Sequence, residues 1–173
     1  MVGRRKAMLK QMLKDINVVQ TGNFVLASGK KSNYFVNIKR ASTDPRILRE
    51  IAKEMAPHVN EAKIAGMALG AVPLAVAVAL ETNHQFVMVR KEPKDHGTKD
   101  LIEGEVMPGD KFVIVEDVAT TGGSTLRVVS ALREKGANVI KAIVVVDREE
   151  GATEMLKEHG IELVSIFKAK DLV

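Results

Sequence analysis

The sequence predicts an α/β domain in which a central parallel sheet is flanked by helices. Three observations lead there. From Lys63 onward, short apolar runs alternate with stretches of helical periodicity, the pattern of strand–helix–strand units. Glycines stand at the ends of two of the helical stretches, Gly136 and Gly160, where a left-handed residue commonly terminates a helix. A chain of 173 residues, 46% hydrophobic, can bury one core but is too short for two full domains.

Taken in order, residues 1–14 carry Arg4, Arg5 and Lys6 and then place Met8, Leu9, Met12, Leu13 and Ile16 at helical spacing. No apolar core of a signal peptide is present, so this is expected to be a helix of the mature protein. Residues 23–26 and 34–38 alternate around a Ser/Gly/Lys/Asn turn, as in a hairpin that would sit as a small hood over the sheet. Residues 64–68 read as a strand, with Pro73 in the first turn of a helix over 74–80. Residues 64–80 carry no charge, and about 17 to 25 apolar residues can span a membrane. The Ala and Gly content, Pro73 and the absence of terminal anchors favour a buried strand, turn and helix instead.

Residues 86–89 form the next predicted strand, and the charged stretch 90–105, with Gly97 and Gly104, a long exposed loop or hairpin; loops of that length are usually lids, binding loops or disordered. Then come a strand at 111–115, a helix at 124–135, a β-branched central strand at 139–146, a helix at 153–159 and a last strand at 163–167. The expected organisation is a single domain, with a helix and hood segment over about 1–40 and a core over about 60–173.

The formal charge of +4 favours an anionic partner, while 3% aromatic residues leave few platforms for stacking bases, so a small phosphorylated ligand fits better than a nucleic acid. With no cysteine there is no disulfide, thiolate metal site or cysteine nucleophile, and a cytoplasmic location is the default expectation.

The chemistry concentrates in Phe112-Val113-Ile114-Val115-Glu116-Asp117-Val118-Ala119-Thr120-Thr121-Gly122-Gly123-Ser124-Thr125. An apolar strand delivers two carboxylates to its carboxyl end, where ligands of open α/β sheets bind. The Thr/Gly turn that follows enters a helix, and the backbone N–H groups of such a turn hold phosphate. Two carboxylates beside a phosphate cradle must serve something other than the phosphate, and ribose hydroxyls are the natural candidate. The stretch lacks the Gly-Lys-Ser/Thr of a nucleotide triphosphate loop and the dinucleotide-binding fingerprint.

This pattern resembles the signature of the type I phosphoribosyltransferase family for phosphoribosyl pyrophosphate (PRPP). The resemblance implies that Glu116 and Asp117 hold the ribose 2′- and 3′-hydroxyls, and that Val118, Ala119, Thr120, Thr121, Gly122, Gly123 and Ser124 enclose the 5-phosphate. The turn at residues 68–73 occupies the place of the family's pyrophosphate loop. Residues 90–97, Arg-Lys-Glu-Pro-Lys-Asp-His-Gly, look like the mobile loop of orotate phosphoribosyltransferases, and residues 23–35 resemble their amino-terminal segment.

On that likeness the fold is the type I phosphoribosyltransferase fold with an N-terminal hood. Arg90, Lys91, Lys94 and His96 would meet PRPP; Lys94, His96 and Asp117 would be catalytic; and Thr120, Arg148, Tyr34 and Phe35 would receive orotate. Mg²⁺ is the implied cofactor, held through PRPP and water with no dedicated protein ligand. A homodimer with shared active sites is implied as well. Ala27 and Gly70 stand where some relatives have lysines, and Asn33 where a proline is usual. A purine or uracil phosphoribosyltransferase would share the PRPP turn without needing the 90–97 pattern; a PRPP-sensing transcription regulator would need an added DNA-binding domain.

Overall fold

The computed structural model describes residues 2–26, 29–93 and 100–173. Helix α1 (Val2–Asp15) turns Leu9 and Leu13, one helical turn apart, into the core, where both are fully buried. Strands β1 (Val19–Val25) and β2 (Lys31–Val36) pair antiparallel as a two-stranded sheet of their own, the expected hood. The short helix α2 (Lys39–Ser42) and helix α3 (Pro45–Met55) follow, in a region where the sequence reading placed no element.

The core then runs β3 (Lys63–Met67), α4 (Val72–Thr82), β4 (Phe86–Val89), β5 (Ile102–Glu103), β6 (Lys111–Ala119), α5 (Gly123–Glu134), β7 (Asn138–Asp147), α6 (Ala152–Glu158) and β8 (Glu162–Lys168). Its sheet has the order β5-β4-β3-β6-β7-β8, parallel throughout except for the antiparallel edge pair β4–β5. The chain leaves β3 for β4 on one side and β6 for β7 on the other. The boundary between β3 and β6 is therefore the point where the winding reverses and a crevice opens at the carboxyl ends.

Alternation along the strands feeds two apolar layers. Ile64, Val113, Val115, Ile143 and Val145 pack with α1, α3 and α4, whereas Ala65, Phe112, Ile114 and Ala142 pack with α5 and α6. Strands buried on both faces read as continuous apolar runs, which is why β3, β6 and β7 stand out in the sequence. Burying each large aliphatic side chain contributes about 1.5–3 kcal/mol. No helix of the described residues is long and apolar enough to cross a membrane; the uncharged stretch 64–80 is β3, a turn and α4.

Candidate active site

Strand β6 runs further than its apolar residues indicate. Its last pairing with β3 is Val115 against Gly66, but its ladder with β7 continues to Ala119 opposite Asp147. Glu116 and Asp117 thus lie inside a strand with a hydrogen-bonded neighbour on one side only. On the other side β3 has ended, and the chain turns away through residues 68–71. This one-sided extension holds the acidic pair rigidly at the mouth of the crevice.

The two carboxylates differ. Glu116 is buried, and its Oε1 accepts the Asp117 N–H at 3.2 Å. Burial, and then the neighbouring Asp117 carboxylate, push the pKa of Glu116 well above the usual carboxylate range. Asp117 takes the Val118 N–H on Oδ1 at 2.8 Å, and its Oδ2 lies 3.4 Å from the Lys39 ammonium.

Beyond the pair, residues 120–122 turn into α5. Gly122 has φ +89°, a left-handed conformation that side chains rarely adopt, so the turn needs glycine there for the following N–H groups to face the crevice. The resulting cleft of about 330 Å³ is lined by Glu116, the turn from Val118 to Thr125, Met67, Lys91 and Arg127. Amides at the start of a twelve-residue helix, four hydroxyl-bearing residues and two nearby cations make it an anion site. A larger depression of about 480 Å³ lies by the end of α4 and the start of β4, at the amino end of the sheet and away from the acidic pair. We place the chemistry in the smaller cleft, where charged and phosphate-binding groups converge.

Arg148, just past β7, is joined to the same mouth because its N–H donates to the Ala119 carbonyl at 2.9 Å. Its side chain is 2% exposed, with Nε donating to Glu150 at 2.8 Å and a terminal nitrogen donating to Ser32 Oγ at 2.9 Å. The guanidinium lies 4.1 Å from the centre of the Tyr34 ring. Ser32 also donates to the Tyr34 carbonyl at 2.7 Å, so the hood is fastened to the core through Arg148. Phe35, next along β2, packs instead on Phe24 at 5.6 Å between ring centres. The side chains of Tyr34 and Phe35 therefore serve different contacts, Tyr34 with Arg148 and Phe35 with Phe24.

The structure thus brings Glu116, Asp117, the 118–124 turn, Lys91, Arg148 and Tyr34 around one opening. Arg90 is directed elsewhere: its Nε donates to Glu103 at 2.8 Å across the β4–β5 edge. Lys94 and His96 lie outside the described residues. Lys39, Ser32 and Glu150 are the polar neighbours of the site that sequence reasoning did not assign a role. Lys39 meets a residue 78 positions away and no local motif marks it; Ser32 lies in the amino-terminal segment that the family likeness covers, but its partner is 116 positions away.

Known proteins share the sequence and fold of this chain. The model of the phosphoribosyl transferase domain matches residues 38–166. An orotate phosphoribosyltransferase of Methanocaldococcus jannaschii is 48% identical over 97% of this chain and 97% of its own length. Among solved structures, an orotate phosphoribosyltransferase from Aeropyrum pernix has a TM-score of 0.83 at 36% identity, covering 95% of this chain and 96% of that one. The UMP synthase of Leishmania donovani has a TM-score of 0.86 at 34% identity over 96% of this chain, which spans 37% of that longer protein.

Proposed function

The chain belongs to the phosphoribosyl transferase family, and we infer that within it this protein transfers the 5-phosphoribosyl group of PRPP to orotate, giving orotidine 5′-monophosphate and pyrophosphate in pyrimidine biosynthesis. The observation that carries the phosphoribosyl part is the one-sided extension of β6, which sets an acidic pair directly against a phosphate-binding turn. The choice of orotate is supported by relatives similar over nearly the whole chain and by the buried Arg148 at the mouth.

In the reaction a ring nitrogen of orotate attacks the anomeric carbon, and the bond to the pyrophosphate oxygen breaks with its electron pair leaving on pyrophosphate. The ribose gains positive character and the leaving oxygens gain negative charge. Glu116 and Asp117 take the 2′- and 3′-hydroxyls and fix the ring, and the Asp117 carboxylate offsets the positive charge that develops on the ribose. The amides and hydroxyls from Val118 to Ser124 hold the 5-phosphate. Lys91, with Arg90, Lys94 and His96, closes over the diphosphate, which neutralises the departing charge and shuts out water. Arg90 must leave Glu103 to do so. Arg148 meets the orotate carboxylate, with Thr120 and the Tyr34–Phe35 backbone against the ring.

Among the described residues no three acidic or histidine side chains gather into a metal cage. The diphosphate and ribose oxygens fit Mg²⁺, which prefers such ligands and water, and when bound it supplies charge neutralisation at the leaving group. The protein is further read as a cytoplasmic homodimer. Helix α4 is apolar on nearly every face, yet Leu80 near its end is 80% exposed; a second copy covering it would remove it from water.

Purified protein should consume orotate, followed by its absorbance, only when PRPP and Mg²⁺ are both supplied. Faster conversion of guanine, hypoxanthine or uracil than of orotate would show the base assignment to be wrong.

A further inference from the structure

Lys39 stands between the two halves of the site. Its backbone is fixed, since Ile38 before it and Ala41 after it are buried at the hood–core junction. Its side chain is 60% exposed, while its partner Asp117 is 15% exposed. An ion pair so open to water at 3.4 Å contributes little to stability. The ammonium is nevertheless held at one place, against the acidic pair on one side and the turn at residues 68–71 on the other.

Gly70 shows how close that turn comes. A Cβ built on it would lie 2.6 Å from Asp117 Oδ2 and 3.4 Å from Lys39 Cε. No side chain fits there without displacing the carboxylate, so the backbone face of the turn is bare beside the ammonium. Among the described residues the N–H groups of Leu69 and Gly70 donate to no acceptor, and the eleven-residue helix α4 begins two residues on with its positive end facing the same space. Free amides, a helix start and a lysine make this an anionic subsite. The turn at residues 68–71 does not line the 5-phosphate cleft, which is built on residues 118–125.

We propose that Lys39 is a substrate-binding residue for the pyrophosphate group of PRPP, which exchanges partners when substrate arrives. In the empty site it neutralises Asp117. When the ribose hydroxyls donate to Asp117, that need disappears, and the ammonium moves by rotation of its flexible stem to the diphosphate lying over residues 68–71. The inference rests on the PRPP reading above and adds to it a cation from the hood junction, independent of the 90–97 loop.

The test compares Lys39→Met and Lys39→Arg with the parent protein by calorimetric titration of PRPP, of pyrophosphate with Mg²⁺, and of ribose 5-phosphate. Lys39→Met is expected to weaken PRPP and pyrophosphate on the order of tenfold, the loss typical of one charge-assisted contact. It should leave ribose 5-phosphate within about twofold, and Lys39→Arg should recover most of the loss. Equal weakening of ribose 5-phosphate would mean that Lys39 acts only through Asp117, and unchanged PRPP affinity would mean that it does not reach the diphosphate. Either result overturns the proposal while leaving the PRPP reading intact. Failure of the parent protein to bind PRPP at all would overturn both.

Discussion

Glu116 is placed where its own charge is least welcome, in the part of β6 that is otherwise apolar, beside a second carboxylate and with Lys39 as a screened, exposed counter-charge. Its raised pKa means that the folded protein holds the proton more tightly than the unfolded chain. Such a group favours folding at low pH, and that contribution is lost as pH rises from the ordinary carboxylate value through the raised one. Every tenfold gain in proton affinity on folding corresponds to about 1.4 kcal/mol. Glu116→Gln keeps the shape without the charge, so at pH 8 it should melt a few degrees above the parent, on the order of 2–4 °C per kcal/mol for a chain of this size, and the gap should close below about pH 5. A variant that melts below the parent at pH 8 would contradict the burial cost. Activity should fall in the same variant, since a carboxamide is the poorer acceptor for a ribose hydroxyl. The residues of this kind that the sequence exposes are those contiguous in the chain, as from Glu116 to Ser124. Those that it hides are assembled by folding: Ser32 reaches Arg148, and Lys39 reaches Asp117, through contacts that no spacing rule describes.

At the scale of elements, α3 begins on a signal that apolar periodicity alone does not raise. Asp44 stands before Pro45 and caps the helix by accepting the Arg46 N–H at 2.9 Å, with Pro45 in the first turn. The Arg46 guanidinium grips the same carboxylate at 3.2 and 2.9 Å, and these bonds lower the Asp44 pKa to about 2. A lowered pKa gives stability that is fully present above the ordinary value of 3.8 and is lost as pH falls through about 2. Asn is as good a cap but does not titrate. Asp44→Asn should therefore melt about 1–2 °C below the parent at pH 7, and the two curves should meet by about pH 2; a gap that persists in acid would show that the cap geometry, not the charge, had been lost. The doubly buried strands and their helices are legible to within one or two residues because continuous apolar runs and terminal glycines mark them. The β6 boundary is not, since Glu116 and Asp117 look like a strand's end. What keeps them in the ladder is β7, whose Val144 and Val146 pair with Glu116 and Val118. The two-residue edge strand β5 is set by its pairing with β4 and has no pattern of its own.

At the scale of the molecule, the open question is whether one chain makes a complete site. Arg90 is engaged with Glu103 at the β4–β5 edge, whereas Lys91 beside it lines the cleft. Leu80, near the end of α4, is an exposed apolar residue that a second copy would cover. The family likeness implies a symmetric dimer in which Lys94 and His96 of one chain serve Asp117 of the other. Lys94→Ala and Asp117→Ala should each reduce kcat by on the order of a hundredfold, the scale of one transition-state electrostatic group. When the two are mixed and allowed to exchange, a loop acting across the interface leaves each hybrid with one doubly defective site and one intact site. Random pairing makes half of the dimers hybrid, and half of their sites work, so activity should return to about one quarter of the parent value. If each loop served its own chain, every site would keep one defect, and the mixture would stay as inactive as its components even with hybrid dimers confirmed by mass spectrometry. That result would exclude shared sites without touching the orotate assignment, because the acidic pair and the phosphate turn belong to a single strand and helix of one chain.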